Sequence, residues 1–300
     1  MRENWKDCIG EFKNYLKIER SLSENSIQAY LRDIEKLRKY CEGLPAALMP
    51  QDVTFNHLSD FIKWLDLQNP RTQSRILSGI RAFFRYMTIE GKMSENPASL
   101  MESPRPGSRL PDVLSIDEID NIISAVDLSK PEGQRNKAII ETLYGCGLRV
   151  SELISLRLTD IHYEQEYINV TGKGDKQRLV PLNYNTIKQI KFYLQDRNRL
   201  KTIVDKNILF LNRRGKKLTR IMIYTIVRDL CELAGIKKNV SPHTFRHSFA
   251  THLVQAGADL RAVQEMLGHE SILTTEVYTH IDRVQLKETI SLYHPRAGKI

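Results

Sequence analysis

Six residues from the middle of this chain onward could together do chemistry on a phosphodiester. Arg149 lies in Gly-Leu-Arg-Val-Ser-Glu-Leu and Lys173 in Gly-Lys-Gly. His243 and Arg246 share His-Thr-Phe-Arg-His, His269 ends Leu-Gly-His, and Tyr278 follows nine residues later. A phenol with a free pKa of about 10 is a weak nucleophile and needs a strongly positive setting. Two guanidiniums offer planar donors to the non-bridging oxygens, where charge concentrates in a pentacoordinate phosphorus. An ammonium and two imidazoles supply proton donors and acceptors. This set is what an enzyme needs to join its own tyrosine to a phosphodiester without a metal. In a strongly basic chain it implies DNA strand exchange.

The charge balance agrees. Lys and Arg number 45 against 36 acidic residues, a formal charge of +9 and a pI near 9.3. Such a chain favours a polyanion, either nucleic acid or an anionic membrane surface. Other chemistries fit poorly. Gly172-Lys173-Gly174 lacks the full phosphate-loop pattern. There is no His-Glu-x-x-His, and acids in the C-terminal third are scattered, which argues against a metal nuclease. Cys8, Cys41, Cys146 and Cys231 have no metal-ligand or redox spacing. No metal or cofactor is expected. No uncharged apolar run approaches the ~18 residues of a membrane span, and the first residues lead into a helix of alternating charge rather than a signal peptide. A reduced, cytoplasmic protein with no membrane contact is expected.

The elements that must position these groups fall into two parts. Residues 1–100 read as helices: one over 3–20, one capped by Ser23 and ending near Gly43, one over 55–67 stopped by Asn69-Pro70, and one over 71–89. On the fourth, Arg71, Arg75, Arg81 and Arg85 fall within an arc of about 120°, opposite Ile76, Ile80, Phe83, Phe84 and Met87. The all-arginine face implies contact with a DNA backbone. Gly79 weakens the helix by about 1 kcal/mol relative to alanine, which close approach of a phosphate backbone or a neighbouring helix would explain.

Residues 96–111 hold four prolines, a glycine and two arginines, and an extended linker is placed at 101–112. The second domain, 113–300, opens with a helix over 115–126, where Ser115 and Glu118 have capping-box spacing. Further helices are expected over 134–144, 150–156, 184–199 and 220–234, and through most of the chain from Pro242. Between them, 167–171 and 179–181 read as a strand pair around the basic turn 172–178, with 209–211 as a further short strand. The fold class is mainly α with a small β-sheet in the second domain.

Four stretches then carry a family likeness: 144–153, 172–181, 241–252 and 267–280. They hold the six chemical residues in order, and nearly the whole chain resembles the tyrosine recombinase/phage integrase superfamily, in particular the bacterial Xer recombinases. Cys146 stands where relatives usually carry threonine or another small residue. The resemblance implies a helical, SAM-like core-binding domain followed by a tyrosine recombinase catalytic domain.

It also implies roles. Tyr278 is the nucleophile that forms a 3′-phosphotyrosyl bond. Arg149 and Arg246 hold the non-bridging oxygens, Lys173 is the acid for the leaving 5′-oxygen, and His243 and His269 share proton transfer and oxygen contact. Lys176 and Arg178 are expected to touch phosphate as positioning contacts. Glu152 reads as an orienting partner of Arg149, and His247 and His252 as structural. His280 is expected near DNA without a catalytic role. Val284 to Leu292 are expected as a last short helix which, by resemblance, packs into a neighbouring subunit.

The expected partners are double-stranded DNA with two half-sites, a homo- or hetero-tetramer with a related recombinase, and a cell-division DNA translocase. Chromosome dimer resolution at a dif-like site is the leading function. An integrase or invertase of a mobile element would share all the chemistry, though a separate small DNA-binding domain before the helical module is not expected. A type IB topoisomerase would use similar chemistry without a specific site, and a DNA-binding protein that no longer cleaves would need only the basic surfaces.

Overall fold

The computed structural model describes residues 4–65, 69–104, 112–172, 175–268 and 283–297. The chain divides into two compact units, Met1–Arg109 and Leu110–Ile300.

The first unit is helical: α1 (Trp5–Ile18), α2 (Glu24–Glu42), α3 (Phe55–Trp64) and α4 (Pro70–Ile89). Each helix starts at a side-chain cap: Asn4, Ser23, Thr54 and Asn69. The pair Asn69-Pro70 starts α4 rather than merely ending α3. Asn69 accepts from the Arg71 N–H at 2.9 Å, and a proline at the first helical position gives up a donor that would be unpaired anyway. The predicted apolar arc of α4 is buried against Trp5, Phe12, Phe61 and Leu37.

The opposite arc divides in two. Arg75 donates to both oxygens of Asp33 on α2, at 2.5 and 2.8 Å, and that carboxylate is buried. A Cβ on Gly79 would stand 3.2 Å from Asp33 Oδ2, so the neighbouring helix, of the two expected causes, accounts for this glycine. Arg81 is half-buried and donates to Ala98 O at 3.3 Å, to Ser103 Oγ at 2.8 Å and to Met101 O. Arg75 and Arg81 are therefore ties within the unit. Arg71 and Arg85 are exposed, and neither side chain has a partner among the described residues.

In the second unit, α5 (Ile116–Ser124) begins at the expected capping box of Ser115 and Glu118. Then follow α6 (Gly133–Gly145), α7 (Val150–Ser155), β1 (Ile161–His162), β2 (Tyr167–Thr171) and β3 (Gln177–Pro181). The unit continues with α8 (Tyr184–Asn198), α9 (Arg220–Leu233), α10 (Pro242–Gln255), α11 (Leu260–Leu267) and α12 (Arg283–Tyr293). The strands form an antiparallel meander, with Ile161 opposite Ile168 and Tyr167 opposite Pro181. The mainly helical fold with a small sheet is as expected.

Two details differ from the sequence reading. The two-residue strand β1 is too short to show a period of two. Residues 209–211 form no strand; isolated bridges join Ile208 to Arg157 and Leu211 to Lys217. Leu209, Phe210 and Leu211 are buried, so their apolar run reports core packing rather than strand pairing.

All four cysteines are buried and none is in a disulfide, with two in each unit. Burial pushes the thiols of Cys41 and Cys146 up to about 12 and that of Cys231 to about 11. Among the described residues no helix is long and apolar enough to cross a membrane.

The C-terminal segment closes on its own unit. Leu286 and Ile290 of α12 are buried in the main core, and α12 packs on β3, α10 and α11. Arg296 bonds to the buried Glu141 of α6 and, at 2.5 Å, to Asp120 of α5. The buried His294 ring lies 4.9 Å from Tyr144 and 5.4 Å from Phe249, centroid to centroid. Burial pushes its imidazole down to about 3. The unfolded imidazole takes up a proton near 6.5 and the folded one does not until far lower. The unfolded state therefore binds more protons in that window, and stability falls as the pH drops through it. His294→Leu is expected to flatten this acid-side loss, read as denaturation midpoints over a pH series. An unchanged slope would place the ring in solvent.

Candidate active site

The geometry starts at Gly147, whose φ is +58° and whose Cβ would lie 2.5 Å from Phe249 Cδ1. Only glycine fits both the left-handed turn and the ring. The turn delivers Arg149 to the N-cap of α7, and Glu152, three residues on, reaches back to accept from the Arg149 N–H at 2.8 Å. The same carboxylate accepts from Arg149 Nη1 at 2.7 Å. From β3, Arg178 grips both of its oxygens, at 2.9 and 2.8 Å. From α10, Arg246 Nη1 stands 3.9 Å away. Glu152, with a side chain 2% exposed, thus gathers three guanidiniums from three elements.

The end of α11 completes the cluster. Arg178 Nε donates to Met266 O at 2.7 Å, Arg246 Nη2 to Leu267 O at 2.5 Å, and Arg149 Nη2 to Gly268 O at 3.0 Å. Three consecutive carbonyls of a helix C-terminus, which carries partial negative charge, each meet a different arginine. Arg246 Nη1 also donates to Gly147 O at 2.8 Å.

Burial pushes the Glu152 carboxyl up, but its bonds to Arg178 and Arg149 outweigh this and hold it below the usual range. Burial, helped by repulsion from Arg149, pulls Arg246 down to about 10, so it stays cationic at neutral pH. The three arginines differ in access. The Arg149 side chain is 31% exposed, against 10% for Arg178 and 8% for Arg246.

On α10, His243 and His247 are exposed one turn apart. With Arg246, Asp112, Ser241 and Thr244 they line a cleft of about 370 Å³. His247 therefore faces the cleft rather than the core. His252 is buried instead, with its Nδ1 2.8 Å from the Tyr144 hydroxyl, and burial pulls its imidazole down.

Arg178 is a correction. It was expected on phosphate, yet all three of its nitrogens bond inside the unit. The signal was present in the strand: Arg178 and the fully buried Val180 share one face of β3 by alternation. Lys176 is exposed beside the turn. Lys173, His269, Tyr278 and His280 lie outside the described residues. No group of His, Cys, Asp and Glu suited to a metal ion occurs among the described residues.

A helical first unit, a second unit with a three-stranded meander and a carboxylate-centred arginine cluster define a class, and the comparisons agree with it. Residues 112–284 match the model of the phage integrase family, and residues 9–91 match the phage integrase N-terminal SAM-like domain. The chain belongs to the phage integrase family and is a tyrosine recombinase of the XerD-like kind.

It is similar to the tyrosine recombinase XerD of Listeria innocua, 39% identical over 295 residues that cover 97% of this chain and 99% of that protein. The XerD of Oceanobacillus iheyensis is equally similar, 39% identical over 296 residues, with 97% and 99% covered. Among solved structures it is similar to the XerH site-specific recombinase in a post-cleavage complex with a palindromic difH substrate. That structure is 25% identical, with 95% of this chain and 84% of the other covered and a TM-score of 0.70. The family and fold expected from the motifs are borne out.

Removing the central charge should be costly. Glu152→Gln leaves neighbouring guanidiniums without their counter-charge, and a broken buried pair costs about 3 kcal/mol. Because the folded carboxyl sits below the 4.5 of an ordinary one, its stabilisation is present above that pH and lost as the pH falls through the folded value. The wild type is expected to lose its advantage over Glu152→Gln across this acid window, as measured by urea denaturation. A variant as stable as the wild type at neutral pH would refute the central role of the carboxylate.

Proposed function

We propose that this chain cleaves and rejoins DNA at a chromosomal dif-like site through a 3′-phosphotyrosyl ester on Tyr278. The observation that carries this reading is the convergence of Arg149 and Arg246, 97 residues apart in sequence, on one buried carboxylate. Such a fixed pair of cations suits the two non-bridging oxygens of a scissile phosphate.

The Tyr278 Oη attacks phosphorus, a phosphorus–Oη bond forms, and the bond from phosphorus to the 5′-oxygen breaks. His243, on the cleft, takes the phenol proton, and Lys173 protonates the leaving 5′-oxygen. In the return step a 5′-hydroxyl of the partner strand attacks and the phenol leaves. The ester conserves the bond energy, so religation needs no ATP. His269 hydrogen-bonds a non-bridging oxygen, and Lys176, three residues after Lys173, contacts the backbone.

Exchange of two duplexes requires four nucleophiles. Four protomers on DNA, of one recombinase or of two related ones, supply them, one at each of the two half-sites on each duplex. The complex of the XerH relative with its difH substrate supports a site of that kind. Regulation by a cell-division DNA translocase and a cytoplasmic location belong to the same reading.

Wild-type protein is expected to form a covalent adduct with nicked suicide DNA in EDTA and without ATP. Tyr278→Phe should abolish the adduct while DNA binding persists, and Arg149→Ala and Arg246→Ala should each slow cleavage about 100-fold or more. An adduct of normal yield from Tyr278→Phe would sink the assignment.

In the first unit, the free side chains of Arg71 and Arg85 are the proposed backbone contacts. Replacing both with Gln should lower the salt slope of DNA binding by about two units. The same change at Arg75 and Arg81 should chiefly lower thermal stability. A slope unaltered by the first pair returns that face to solvent.

A further inference from the structure

Arg178 has no part in the chemistry proposed above, yet it makes more side-chain hydrogen bonds than either other arginine of the site. Its Nη1 and Nη2 hold both oxygens of Glu152, and its Nε holds Met266 O. It therefore joins three segments: β3, which follows Lys173 in sequence; α7, which presents Arg149; and the end of α11, from which the chain continues to His269 and Tyr278. The contact with α11 is close. Gly268 has a φ of +63°, and a Cβ there would lie 3.0 Å from Arg178 Cδ. Little of the side chain is left for DNA, at 10% exposure against 31% for Arg149.

We propose that Arg178 is a positioning residue of the cleavage reaction, which fixes Glu152 and the end of α11 so that Arg149 and Arg246 present their donors to the scissile phosphate. The inference rests on the proposed phosphate-binding role of Arg149 and Arg246. The Glu152 oxygen that receives Arg149 Nη1 also receives Arg178 Nη1. The carbonyls that receive Arg246 and Arg149 follow directly on the one that receives Arg178. A shift of Arg178 therefore displaces partners of both other guanidiniums. An ammonium cannot replace this fork, because a lysine carries one point charge where arginine spans two oxygens and a carbonyl. Arg178→Lys preserves charge and removes geometry.

The experiment uses the full chain on suicide DNA with either an ordinary scissile phosphodiester or a methylphosphonate, which lacks charge on one non-bridging position. Arg178→Lys is expected to bind with wild-type affinity and salt slope and to cleave the phosphodiester about 10- to 100-fold more slowly. The deficit should narrow on the methylphosphonate, which depends less on well-aligned guanidiniums. A salt slope reduced by about one unit would mean direct phosphate contact and overturn the proposal. So would cleavage at the wild-type rate, or an equal deficit on both substrates, which denotes general loosening.

Should Arg178→Lys fail to fold, Glu152→Asp tests the same link by withdrawing the carboxylate one methylene without loss of charge. It should give the same signature of intact binding, slow cleavage and a narrower methylphosphonate deficit. Where both variants fold, the double variant should be no slower than the slower single one, and additive losses would count against a shared path. Arg149→Ala serves as the control. If it cleaves normally, the reading of the site itself falls. If it is inactive while Arg178→Lys cleaves normally, only the positioning role falls.

Discussion

Like charges do not gather without a reason, and in this protein the reason is one carboxylate. Glu152 lies at the third position of a short helix, buried, with guanidiniums arriving from its own N-cap, from a strand and from a later helix. Remove its charge and the cluster is three cations in a poorly solvated space. Keep it, and their mutual repulsion is offset by bonds that also set direction. The helix-end carbonyls of Met266, Leu267 and Gly268 finish the work at the other side. A site of this kind exists only when α7, β3, α10 and α11 have all been assembled, which ties competence for chemistry to completion of the second unit's fold.

Much of this was legible in the residues. Caps at Ser23 and Ser115, the apolar arc of α4, the strand pair around the basic turn and the order of the chemical residues are local patterns, and local patterns survive in one dimension. What was not legible depends on partners far along the chain. Arg178 and Glu152 are 26 positions apart, and Arg75 and Asp33 are 42 apart. Nothing in the sequence near Arg178 announces a carboxylate, although its alternation with Val180 places it on the inner face. The histidines of α10 show the same limit. His247 and His252 lie on one helix, but only the packing around them decides which meets the cleft and which meets Tyr144.

The fourth helix of the first unit is a lesson about charge faces. Four arginines on one arc look alike in sequence, yet the fold gives them three positions. Arg75 neutralises a buried aspartate, Arg81 fastens the chain at Ala98, Met101 and Ser103, and Arg71 and Arg85 remain outward. A single-sign stripe is thus a set of candidates for a polyanion, to be reduced by whatever the neighbouring helix and the following segment withdraw.

The buried cysteines give the molecule an internal clock. A thiol reacts as its thiolate and only where a reagent reaches it, so Cys8 and Cys41 in one unit and Cys146 and Cys231 in the other are silent toward alkylating reagents in the folded chain. Each becomes reactive when the core around it opens. The rate at which mass is added to peptides bearing each cysteine therefore reports the opening of the two units separately, without any introduced label. Because two silent thiols belong to each core, the pair within a unit also shows whether that core opens as one body or in parts.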